Sequence, residues 1–159
     1  MGILLGADID QTWISLDEGK TPALGDVFYG SGNKIYKFVQ YEAATAAVAG
    51  VAGEVAYYYL LDGYKNNIVT SDLSDSLEFG AGVLVASPAD AEYCWIQIRG
   101  AATLTIALTA GTDGDPLTPT GSTDGSLDLA VDTTASAPQH VCAWAGDISD
   151  KEIVCMFPF

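Results

Sequence analysis

Positive charge is what this chain has least of. Lys and Arg number 6 against 21 Asp and Glu, a formal net charge of −15. Phosphate backbones and anionic lipid surfaces would repel such a surface, so neither nucleic acid nor a membrane is an expected partner. Histidine is scarce too, with His140 alone, and the three cysteines Cys94, Cys142 and Cys155 form an odd set without C-x-x-C spacing. Reduced thiols buried as small hydrophobes are therefore expected; a disulfide between any two has no pattern to support it. No apolar run approaches the roughly 20 residues that span a bilayer as a helix. Met1-Gly-Ile-Leu-Leu-Gly6 has only a short apolar stretch before Asp8 and Asp10 and no basic residue, which argues against a secretory signal. Gly6 also stands where a myristoylation pattern needs Ser or Thr. A soluble protein made in the cytoplasm is the expectation.

What the chain does have is apolar residues, at 49% of 159, drawn largely from Ala and Val. That is enough for one domain with its own core, so the acids decorate a fold instead of marking a disordered acidic chain. They are scattered through turns and strand ends.

Strand patterns dominate. Val27–Tyr29 and Lys34–Tyr41 flank the turn Gly30-Ser-Gly-Asn33 and read as a β-hairpin. Glu42–Gly53 is Ala-rich but broken by glycines, and reads as a loop or a short strand. Glu54–Leu61, EVAYYYLL, has the β-branched and aromatic enrichment of a strand, and Asp62-Gly63 turns it toward Asn66–Thr70. Ser71–Glu78 reads as a solvated loop. From Phe79 to Thr120 three strand patterns follow without a helical break, Gly82–Ala86, Ala91–Gly100 and Ala102–Leu108, a β meander by this reading. Within Ala91–Gly100, Cys94, Ile96 and Ile98 share one face, expected to be core, while Tyr93, Trp95, Gln97 and Arg99 share the other. Ser126–Val131, His140–Trp144 and Glu152–Phe157 complete about ten short strands. The fold class is all-β, a compact sandwich or barrel of mainly antiparallel strands. Residues 1–24 read as an N-terminal arm or edge strand, and 25–159 as a single β domain ending in an aromatic C-terminal arm, Met156-Phe-Pro-Phe159, which Pro158 keeps extended.

Catalytic patterns are thin. His140-Val-Cys142 sets imidazole and thiol on one strand face, yet no third residue orients them, and no G-x-S-x-G elbow exists. Asp8-Ile-Asp10 and Asp113-Gly-Asp115 resemble fragments of calcium loops without the remaining ligands. Gly30-Ser-Gly-Asn-Lys34 lacks the ending of a phosphate loop and sits between strands. The expectation is a non-enzyme with no cofactor and no metal. Contact residues are easier to nominate: Trp13, Tyr57, Tyr59, Tyr93, Trp95, Arg99, Phe157 and Phe159, since aromatics and Arg are enriched at the centres of protein interfaces. The same side chains carry the alternative, a carbohydrate-binding β-sandwich in which Tyr57, Tyr59 or Trp95 forms a stacking platform.

The order Gly25-Asp26, Gly82-Val83, then Tyr93, Trp95, Gln97 and Gly100, then Gly114-Asp115 with Leu117, resembles the capsid decoration (cement) proteins of tailed bacteriophages across residues 25–131. The resemblance implies a structural virion protein, made in the bacterial host's cytoplasm, that sits on the outer surface of an icosahedral capsid, bridging capsomers and stabilising the expanded shell. Its implied partners are the major capsid protein and further copies of itself, a trimer in preference to a dimer. Residues 1–24 and the last stretch lie outside the resemblance; in such proteins the terminal segments make additional contacts.

Overall fold

The computed structural model describes residues 3–4, 6–17, 19–45, 47–60, 62–131 and 139–159. Its elements run β1 (Ile3–Leu4), β2 (Thr12–Trp13), β3 (Val27–Tyr29), β4 (Ile35–Tyr41), β5 (Val55–Tyr59), α1 (Gly63–Asn66), β6 (Ile68–Thr70), β7 (Ser76–Leu84), β8 (Tyr93–Thr103), β9 (Pro116–Thr118), β10 (Asp128–Leu129), β11 (Ala143–Asp147) and β12 (Glu152–Met156). The all-β expectation is borne out, and α1 is a single turn between two strands. No helix among the described residues is long and apolar enough to cross a membrane.

The pairings close on themselves. β4 pairs β6 in parallel, β6 pairs β5, β5 pairs β7, β7 pairs β8 and β8 returns to β4, the last four antiparallel. Five strands thus make a small barrel without free edges of its own. β8 makes this possible because it is eleven residues long. One of its edges runs along β4 from Tyr93 to Arg99; the other is shared end to end by β2, β7 and β12. Beyond β12 the sheet continues through β11 and β9 to β10.

The main core fills the barrel and runs on under this extension, uniting Val39, Tyr57, Val69, Ile96 and Ile98 with Leu117, Ile153 and Phe157. The predicted core face of β8 is correct. A second, smaller cluster lies on the opposite face: Tyr36, Phe38 and Trp95 are buried beneath Ala7, Ile9, Trp13, Leu24 and Phe28. The segment before Gly25 is therefore a cover packed on the barrel wall, with β1 as an edge strand beside β3. Met1, Gly2, Leu5 and Glu18 lie outside the described residues.

Three sequence expectations need correction. Ala91–Gly100 and Ala102–Leu108 are not two strands: β8 continues through Gly100 to Thr103, because this glycine takes φ +88° and turns the chain without ending it. The meander is also incomplete, since β9 pairs with β11 and β10 while β12 occupies the edge of β8. Ser71–Glu78 is not all loop, as β7 begins at Ser76. The hairpin of β3 and β4 forms as expected, with Val27 opposite Lys37 and Tyr29 opposite Ile35.

Candidate functional surface

β8 carries two fates on one face. Trp95 is wholly buried, its ring 5.2 Å from Phe38 and 6.3 Å from Phe28 in edge-on contacts. Trp13 closes over this cluster, 5.2 Å from Phe38. Gln97 is also buried, its Nε2 donating to the carbonyls of Arg99 (3.0 Å) and Ala101 (2.9 Å), which steadies the chain where Gly100 bends it. Tyr93 is half-buried and stacks on Phe38. Past Gln97 the cover ends, and Arg99, Ala101 and Thr103 emerge. The expectation that Tyr93, Trp95, Gln97 and Arg99 form one surface is thus corrected: the cover seals Trp95, and Gln97 is buried as well.

Where the cover stops, an open sheet face begins. Outward residues lie side by side across four strands, since Trp144 is in register with Pro116 on one side and Val154 on the other, and Val154 with Ala101. Met156 is opposite Arg99, and Glu152 opposite Thr103. The alternation is clean: Ala143, Ala145, Ile153 and Cys155 point inward while Trp144, Val154 and Met156 are exposed at 42%, 44% and 50%. The Arg99 guanidinium lies 5.3 Å from the Phe159 ring, an exposed cation–π contact that holds the last residue against this face. Trp144 and Val154 were missed from the sequence, since strands of unbroken apolar residues hide which side is wet; the small residues Ala143 and Ala145 on either side of Trp144 were the available signal.

The other nominated residues are placed as follows. Phe157 is no arm residue: it is fully buried, its amide donates to Ile98 O (3.1 Å), and its ring lies so near Gly80 that a Cβ there would fall 2.8 Å away. The C-terminal segment is strand β12 plus this plug, and Phe159 alone of the two is exposed. Tyr57 is buried, its hydroxyl donating to the carbonyl of Ser126, and burial pushes its ionisation well above the usual tyrosine range. Tyr59 is half-buried. Tyr57 and Trp95 are inside and offer no face on which a sugar could stack, which leaves Tyr59 as the part-exposed ring of the three. Tyr58 beside them anchors another interior group: Lys37 Nζ donates to its hydroxyl at 3.1 Å, and burial pulls the Lys37 ammonium below its usual value.

The remaining chemical candidates do not assemble. His140 packs against Phe79 with ring centres 4.2 Å apart and tilted by 32°, and burial lowers its basicity. Cys142 is buried and its thiol is pushed up, the opposite of what a thiolate nucleophile needs; Cys94 and Cys155 are raised to about 12 by the same desolvation. All three are free thiols. Asp113 and Asp115 are turn residues, the first accepting from Ile148 N (2.9 Å) and the second from Thr112 N (2.7 Å). Asp8 is exposed, and a hydrogen bond with Asp10 raises its carboxyl above the ordinary value. Among the described residues no three His, Cys, Asp or Glu side chains gather as metal ligands would.

A second exposed feature stands at the opposite end of β8. After Trp13, which pairs with Tyr93, the chain turns outward, leaving Ile14 84% exposed, with Leu16 exposed close behind it. No other large apolar side chain among the described residues is as exposed as Ile14. No family model, no curated protein and no solved structure matches the chain.

Proposed function

We propose that this protein is a non-enzymatic structural component that attaches to the outside of an icosahedral phage-type shell and ties neighbouring capsomers together. The observation that supports it most is the projecting pair Ile14 and Leu16, held beside Trp13 on a segment packed firmly against the barrel. Apolar side chains this exposed on a rigid base have the form of anchors awaiting a protein pocket. The partner is the major capsid protein, and the site of action is the virion surface. A closed barrel with a −15 surface suits that role: it supports itself before assembly and is kept from packaged nucleic acid by charge.

Co-sedimentation with undecorated heads tests the reading. The wild-type chain should pellet with the heads and raise their resistance to heat, while Ile14→Asp with Leu16→Asp should stay in the supernatant with an unchanged melting temperature. Failure of the wild-type chain to associate at low and at high salt would discard the proposal.

A further inference from the structure

The exposed face made by β8, β12, β11 and β9 has a charge pattern that selects its occupant. Its outward strand positions carry one cation, Arg99, at one end and two acids, Asp147 and Glu152, at the other, with Ala101, Val154, Trp144 and Pro116 in a row between them. Elsewhere the −15 chain repels its own copies. On this face a cation and acids stand at opposite ends, so its two ends are opposite in sign.

We infer that the face binds a second copy of this chain in an isologous dimer. Two identical sheets packed face to face stand about 10 Å apart with strands within about 30° of one another. A two-fold axis lying along the strands would keep like charges together, with both Arg99 side chains at one end of the stacked sheets and both Glu152 at the other. An axis lying along the apolar row instead reverses the strands, bringing each Arg99 to the end where Glu152 of the second copy sits, one strand over and within reach of a long side chain. The register makes this symmetric: Val154 and Ala101 lie midway between Glu152 and Arg99 along β12 and β8, so the axis passes through the apolar row itself. Trp144 then meets its own symmetry mate at the centre, as interface aromatics do. The C2 arrangement departs from the trimer that the family resemblance implies. It stands whether or not the chain binds a shell, because Ile14 and Leu16 lie at the other end of β8 and stay free in the dimer.

Sedimentation equilibrium of the full chain across a concentration series, with charge-swapped variants, tests both the partner and the axis. A monomer–dimer equilibrium is expected. Arg99→Glu should weaken it by about tenfold or more, because the new carboxylate would face the Glu152 carboxylate of the second copy, and Arg99→Glu with Glu152→Arg should restore it. Trp144→Asp should leave a monomer with an unchanged circular dichroism spectrum. A wild-type chain that stays monomeric into the millimolar range, or that forms a trimer, overturns the inference. So does a dimer that Arg99→Glu weakens but the double swap fails to restore.

Discussion

Two tryptophans show how little residue type says about role. Trp95 lies on a β8 face with Arg99, yet is sealed by Trp13 and Phe28, whereas Trp144 stands on a strand of small residues and is open to solvent. Their alanine variants should differ accordingly. Trp95→Ala is expected to cost about 3–5 kcal/mol in chemical denaturation through the cavity it leaves, and Trp144→Ala to cost the folded monomer far less, about 1 kcal/mol, since it opens no cavity in the core and Trp144 is already 42% exposed. Lys37 makes a second residue-scale case. Its ammonium is buried with a tyrosine hydroxyl for a partner, so its pKa falls below the ordinary 10.5. In the alkaline window under 10.5 the unfolded chain holds this proton more tightly than the folded one, so the Lys37 contribution to stability improves as pH rises through that window. Lys37→Met should abolish this dependence, so thermal melts of variant and wild type should shift in favour of the wild type as pH rises into that window.

At the scale of elements, β8 decides the architecture. A strand of this length can serve β4 on one edge and three partners on the other only if it bends, and Gly100 supplies the bend at φ +88°. A Cβ there would also lie 3.0 Å from Asn33 O. Gly100→Ala should therefore destabilise by more than about 1 kcal/mol, with the unfolding midpoint as the readout. The amino-terminal segment is the other decisive element. Removing residues 1–24 should uncover Phe38 and Trp95, giving a large fall in melting temperature and strong binding of a hydrophobic dye; a truncated chain as stable as the full one would contradict its role as a cover. The hairpin of β3 and β4 was legible because a four-residue Gly-containing turn separates two strand patterns. The start of β7 was not, because Ser76, Leu77 and Glu78 lack a strand composition and are recruited by pairing with β5.

For the whole molecule, the balance of charge and exposed apolar surface matters more than any cavity. The groove of about 490 Å³ between the amino-terminal segment and Trp95 is open and mixed in character. Aspartates placed in turns give the fold an acid limit: Asp75 accepts from Thr45 N at 2.8 Å and Asp147 from Ser149 Oγ at 2.6 Å, and both carboxyls are held below the ordinary 3.8. Groups shifted this way contribute stability above the unfolded value, and lose it as pH falls through the folded one. Stability should thus hold to near pH 4 and decline below it, whereas Asp75→Asn should flatten that decline in acid melts.

Local pattern was enough to define an all-β chain, its strand-rich course, its buried thiols and the core face of β8, because alternation and turn residues act over a few positions. The outward faces were a different matter. Whether Trp95, Tyr57 and Phe157 met solvent, and whether Trp144 and Val154 did, depended on what the distant amino-terminal segment covers and where β12 inserts between β8 and β11. Exposure is a property of the assembled sheet, since a strand with apolar residues on both faces carries no mark of which side another segment will seal.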